Sequence, residues 1–170
     1  MKVLETQRLA LRHLQPDDAP FMLALLNDPG WMRYIGDRGV RTLEAARGYL
    51  EERLIPPYER HGFGLWMVEC REGGGSMGVC GLVKRDNLPH PDLGYAFMPE
   101  YRGQGYARES ALAVRDHATG VLGIKRLLAI TSPANDASAR LLARLGFVIE
   151  GQVPWGGDAK DPVTLYAFSP

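Results

Sequence analysis

Two glycines, at 103 and 105, sit between an extended run and an amphipathic helix, and they constrain this chain more than any other feature. The stretch reads Asp92-Leu93-Gly94-Tyr95-Ala96-Phe97-Met98-Pro99-Glu100-Tyr101-Arg102-Gly103-Gln104-Gly105-Tyr106-Ala107. It predicts a strand, a short turn stopped by Pro99, and a glycine-rich loop opening a helix that continues to Ala118. A loop of this kind suits a phosphorylated ligand. Backbone N–H groups gather at the helix start, and the helix dipole adds about half a positive charge there. Glycine carries no Cβ, so a bulky diphosphate can approach the main chain closely.

Spacing separates the phosphate loops that compete for this stretch. A P-loop requires Lys followed by Ser or Thr after its last glycine, and neither pair follows here. A dinucleotide fingerprint needs a third glycine or an alanine where this chain has Arg108, close behind a strand near the start of a βαβ unit. Pro99-Glu100-Tyr101 intervene, and the loop lies past the middle of the chain. The acetyl-coenzyme A loop, R/Q-x-x-G-x-G/A, is matched at every defined position by Arg102-Gly103-Gln104-Gly105-Tyr106-Ala107. At this point the chain resembles the GCN5-related N-acetyltransferases (GNAT), and most closely their ribosomal-protein N-terminal acetyltransferase branch. The opening Thr-x-Arg-Leu-x-Leu-Arg from Thr6, followed by Pro16-Asp17-Asp18-Ala19, resembles the start of the same branch.

The rest of the chain supplies context. With 170 residues, 45% of them hydrophobic, it fits one domain over residues 1–170 with a full core. Twenty basic and twenty acidic residues cancel, which disfavours a nucleic-acid partner. No apolar run approaches the roughly 20 residues that span a bilayer, and Met1–Arg8 lacks the apolar core of a signal peptide. A cytoplasmic protein without membrane contact is the expectation. Cys70 and Cys80 read as small buried hydrophobes, and no metal-ligand spacing is present. Oligomeric state, including a homodimer, is left open.

Hydrophobic periodicity predicts a strand over 6–14 and a helix opened by Pro16-Asp17-Asp18 and stopped by Asn27-Asp28-Pro29-Gly30. An aromatic connector, Trp31–Gly36, follows. Thr42 caps a second helix that Pro56-Pro57 ends. Strands are expected at 63–69, 77–83, 92–98, 127–131, 147–149 and 163–168, with a helix at 135–145 closed by Gly146. This order gives an α/β fold, a mixed central sheet of about six to seven strands flanked by about four helices. It is also the order of the GNAT fold.

The resemblance implies acetyl-CoA as co-substrate and an amine as acceptor, a protein N-terminus or a small molecule. It places the diphosphate on Arg102, Gly103, Gln104, Gly105, Tyr106 and Ala107, and the pantetheine arm along the main chain of Phe97 and Met98. A second motif, Asn135-Asp136-Ala137-Ser138 ahead of Leu145-Gly146-Phe147, is a family hallmark. Read alone, Asn135 is a helix N-cap. By resemblance it hydrogen-bonds the cofactor arm, and Ser138 serves as the acid that protonates the leaving thiolate.

An amine with a pKa near about 9–10 also needs a proton acceptor at neutral pH. Asp92, Glu150 and Asp158 are the carboxylates to weigh. Relatives with a proposed glutamate carry it in the last loop, where this chain has Gly156-Gly157-Asp158. His90, between two prolines, is a further candidate to accept a proton. His13, His61 and His117 show no partner pattern. Arg33, Arg38 and Arg41 read as solvated loop charges or as a lure for an acidic acceptor. The rival reading is a non-catalytic acyl-CoA-binding or regulatory module on the same fold, which would have no use for Ser138 as an acid.

Overall fold

The computed structural model describes residues 1–155 and 161–170. Eight strands form one sheet: β1 (Lys2–Glu5), β2 (Leu9–His13), β3 (Leu65–Cys70), β4 (Ser76–Val83), β5 (Asp92–Phe97), β6 (Leu127–Thr131), β7 (Val148–Val153) and β8 (Val163–Phe168). Their order across the sheet is β1-β2-β3-β4-β5-β6-β8-β7, and every neighbouring pair is antiparallel except β5 with β6. The helices are α1 (Ala19–Leu26), α2 (Pro29–Tyr34), α3 (Leu43–Tyr49), α4 (Pro56–His61), α5 (Tyr106–Gly120) and α6 (Asp136–Arg144). Among the described residues no helix is long and apolar enough to cross a membrane.

Alternation along the central strands builds a core on each face of the sheet. Trp66, Val68, Cys80 and Leu82 pack with Ala111 and Val114 of α5 and Leu142 of α6. Met67 and Val79 point the other way, onto Met22 and Leu25 of α1 and Ala46 of α3. Each such large side chain, fully buried, contributes about 1.5–3 kcal/mol. Cys80 is buried and Cys70 half-buried, and both are free thiols.

Three elements depart from the expected order, each for a local reason. Lys2–Glu5 is a strand because its main chain pairs with β2, Leu4 opposite Leu11; four residues are too few to show a periodicity. The Asp28-Pro29 pair that ends α1 also begins α2. The Asp28 carboxylate accepts from the N–H groups of Gly30 and Trp31, and Pro29 occupies the first turn, where its missing N–H costs nothing. Pro56-Pro57 likewise starts α4 rather than merely ending α3. Between them Leu50–Leu54 forms a π turn, with the Ile55 N–H bonded to the Leu50 carbonyl at 2.9 Å.

The feature that positions the site is an opening in the sheet. β5 and β6 share one register pair, Asp92 with Leu128, beside a 2.9 Å bond from the Leu128 N–H to the Pro91 carbonyl. Past that point β5 stays with β4 as far as Phe97, while β6 stays with β8 as far as Thr131. The two halves of the sheet therefore diverge toward the carboxyl ends of the parallel pair.

Candidate active site

The main chain of β5 supplies the floor of the opening. The Met98 N–H donates to the Met77 carbonyl on β4 at 3.0 Å. By strand alternation, the N–H groups of Tyr95 and Phe97 then point away from β4, into the gap. Met98, expected beside the cofactor arm, instead turns its N–H to β4. The Phe97 carbonyl accepts from Arg102 Nε at 3.1 Å, which leaves the Phe97 N–H as the free group at the strand end.

Beyond Phe97 a single 3-10 turn, Pro99–Tyr101, leads into the glycine loop. Gly103 and Gly105 adopt φ of 75° and 84°, the left-handed region in which a Cβ is strained. Space beside Gly103 is open to at least 4 Å, and Gly105 is the residue from which α5 starts. The Gln104 side chain folds back to the Glu100 carbonyl at 2.8 Å.

The N-terminal segment braces this loop. Arg8 donates through Nη1 to the Gln104 carbonyl at 3.1 Å and through Nε to Glu109 at 2.7 Å, and its guanidinium lies 4.3 Å from the centre of the Tyr106 ring. Glu109 also accepts from the Arg8 N–H at 2.9 Å and from the Thr6 hydroxyl at 2.5 Å. Partial burial opposes its ionisation, yet the bonds from Thr6 and Arg8 hold its carboxyl below the ordinary range.

Arg102, the first residue of the loop motif, turns toward the opposite wall. Its guanidinium is bonded to the buried carboxylate of Asp28 at the start of α2. One ion pair thus ties the glycine loop to the helix that forms the far side of the cleft.

The other wall comes from α6. Asn135 Oδ1 accepts from the Ser138 N–H at 3.2 Å, which makes Asn135 the N-cap and leaves its amide nitrogen unspent. Ser138 Oγ accepts a 2.9 Å hydrogen bond from the hydroxyl of Tyr95, reaching from β5 across the opening. Burial pushes the Tyr95 phenol up to about 12, with the Ser138 bond working against that rise. Tyr95 was not singled out in the sequence. The available signal was its phase, since Leu93, Tyr95 and Phe97 share one face and only Tyr95 carries a polar tip.

These walls enclose a cleft of about 1120 Å³. Asn135, Ser138, Phe97 and the loop residues Arg102, Gly103, Gly105, Tyr106 and Ala107 all line it; Met98 and Gln104 do not. Arg108, exposed and beside the loop, lines it as well and was missed. Of the carboxylates considered as base, Asp92 lines the cleft, is buried, and accepts from Arg85 Nε at 3.0 Å. Burial raises its pKa, against the pull of Arg85. Glu150 is exposed, pairs with Arg126 and does not reach the cleft. Asp158, with Gly156 and Gly157, falls outside the described residues. His90 does not line the cleft, and His13, His61 and His117 pack against aromatic rings.

On the far side stand Trp31, Tyr34, Ile35, Arg38, Tyr49 and Arg53. The cleft therefore has two halves, one rich in main-chain donors and one aromatic and basic, meeting at Tyr95 and Phe97.

Comparison with known proteins gives the family and the fold. Residues 8–148 match the acetyltransferase (GNAT) domain family. The chain is 30% identical over 152 residues to the uncharacterized N-acetyltransferase YoaA of Bacillus subtilis (strain 168), covering 88% of this chain and 84% of that protein. It superposes on the crystal structure of an acetyltransferase from Agrobacterium tumefaciens str. C58 with a TM-score of 0.82 and 26% identity, over 100% of this chain and 95% of that one. RimL, a ribosomal L7/L12 alpha-N-protein acetyltransferase crystallised in complex with coenzyme A, shares the fold with a TM-score of 0.83 at 20% identity, over 99% and 98% of the two chains.

Proposed function

The chain belongs to the GNAT acetyltransferase family, and from that membership as an acetyl-CoA-dependent acetyltransferase we propose that it acetylates a primary amine by direct transfer. A protein N-terminus and a small-molecule amine are the two acceptor classes. The observation that carries this reading is the Tyr95–Ser138 bond spanning the β5/β6 opening, next to free strand amides and a glycine loop at a helix start.

Each requirement of the reaction has a residue suited to it. Backbone N–H groups of Gly103 to Ala107, with the dipole of α5, suit the diphosphate. The Phe97 N–H is aimed into the gap, where it can donate to the pantetheine arm or polarise the thioester carbonyl. The amide nitrogen of Asn135, free of the capping bond, is a second donor to the arm.

In the transfer step the amine nitrogen bonds to the acetyl carbon while the carbon–sulfur bond breaks. The amine gives up one proton and the sulfur gains one. Ser138 Oγ, already accepting from Tyr95, is assigned the donation to sulfur, since an oxygen that accepts a hydrogen bond becomes a better donor. Asp92 is assigned the amine proton, directly or through solvent. Burial lifts its affinity for a proton, with the pull of Arg85 working against that rise.

The test is product analysis with acetyl-CoA and a panel of amines and peptide N-termini. One coenzyme A thiol should be released for each amine that gains an acetyl group. Binding of acetyl-CoA with no thiol release from any acceptor would favour the non-catalytic module instead.

A further inference from the structure

The acceptor half of the cleft carries a charge pattern that selects among amines. Three carboxylates line the cleft, and each is held by an arginine: Asp28 by Arg102, Asp37 by Arg41 at 2.6 Å and Asp92 by Arg85 at 3.0 Å. Two arginines on the same side, Arg38 and Arg53, line the cleft without a carboxylate partner among the described residues. Of the arginines near the connector, Arg33 stacks on Tyr34 at 4.9 Å and Arg41 is spent on Asp37 and Asn27. Arg38 alone of the three faces the cleft unpaired.

The basic character continues past Arg53. A smaller hollow of about 400 Å³ shares Arg53, Leu54, Val83 and Arg85 with the cleft and adds Arg60 and Lys84, opposed by Glu52 and Asp86. Lys84 is hydrogen-bonded to the carbonyls of Arg85 and Leu88 rather than to a carboxylate, so its charge is not cancelled. In the cleft itself a polycationic amine would meet like charge at Arg38 and Arg53, while the three described carboxylates that line it are already held by arginines. Glu52 and Asp86, unpaired among the described residues, line only the smaller hollow. An acceptor with its own negative charge would find partners already in place.

Resting on the amine-transfer reading, we propose that the preferred acceptor is an amine that also bears a carboxylate, held by Arg38 and Arg53 while the amine reaches the β5/β6 opening. Two sources share that chemistry: a small amino acid, or a peptide N-terminus with acidic side chains in its first positions. Both arginines are exposed, so the selection acts through screened charges and weakens as salt rises.

Matched acceptors test this. A small ω-amino acid is compared with its carboxamide, a peptide beginning in glutamates with the glutamine version, and both pairs with spermidine. The expected result is a kcat/KM about tenfold or more higher for the acid in at least one pair, falling with added salt. Arg38→Gln with Arg53→Gln should erase that ratio, and Arg53→Glu should reverse it, with acetyl-CoA affinity and melting temperature serving as folding checks. The pair that shows the ratio identifies the source. Equal use of acid and amide in both pairs, or preference for spermidine, overturns the proposal and leaves amine transfer standing. Thiol release from no amine, with acetyl-CoA bound, overturns both.

Discussion

The Tyr95 hydroxyl donates a 2.9 Å hydrogen bond to Ser138 Oγ and so joins strand β5 to helix α6 across the place where the sheet opens. With the phenol pushed up to about 12, Tyr95 stays protonated through the physiological range and keeps donating. Ser138→Ala should lower kcat about 100-fold, the scale of a lost general acid, while acetyl-CoA affinity changes little. Tyr95→Phe should lower kcat less, because Ser138 keeps its own proton. Thiol-release kinetics beside calorimetric titration separates the two effects, and an unchanged kcat in Ser138→Ala removes that residue from the mechanism.

Glu109 is the hub through which the N-terminal segment reaches the glycine loop, taking bonds from Thr6 and from both main chain and side chain of Arg8. Glu109→Ala cuts all three. It should cost about 2 kcal/mol of stability, since the bonds involve a charged group but Arg8 is partly exposed. It should also raise the acetyl-CoA Kd, because Arg8 then loses the anchor that holds it over Gln104 and Tyr106. Urea denaturation and calorimetry check the two halves.

Asp28 does two things at once, and two substitutions separate them. Asn caps a helix as well as Asp, so Asp28→Asn should keep the bonds to Gly30 and Trp31 and lose only the ion pair to Arg102. Asp28→Ala loses both and should be less stable than Asp28→Asn by about 1 kcal/mol. Both should weaken acetyl-CoA binding, since Arg102 begins the loop proposed to hold the diphosphate. Equal stabilities would mean that the cap contributes nothing.

Stability should fall on the alkaline side. Burial lifts the Cys80 thiol from 9.0 to about 12 and the Tyr95 phenol from 10.0 to about 12. Both groups are neutral when protonated, so the unfolded chain releases its protons first. The stabilisation is whole below about pH 9 and is lost as pH rises, by up to about 1.4 kcal/mol per unit for each titrating group. Melting temperatures at half-unit steps from pH 8 to 10.5 follow this, and Cys80→Ala should delay the onset by about one unit.

What could be read from the sequence was local. The left-handed glycines, the N-cap of α6 and the run of β5 each depend on residues close together in the chain, and each signal was visible. Contacts that complete the site join distant positions: Tyr95 to Ser138, Arg8 to Glu109, Asp28 to Arg102. Nothing in residue type or spacing announces such partners, because sheet register and helix docking decide them. The same reason explains Met98, expected in the strand but lying just past its end at Phe97, with its N–H bonded to β4. Edge strand β1 and helix α2 were hidden differently. One is short enough to owe its form to its neighbour, and the other begins on the very residues that stop α1.

The central claim is that acetyl-CoA lies in the opening between β5 and β6, with its diphosphate on the loop at the start of α5. Amide hydrogen exchange with and without acetyl-CoA tests it most directly, with Gly105→Asp as the control that sets a side chain and a negative charge against the diphosphate. Protection is predicted at Tyr95, Phe97, residues 103–107 and the first turn of α6, and none in Gly105→Asp. Protection elsewhere, or equal protection in that variant, would contradict the account.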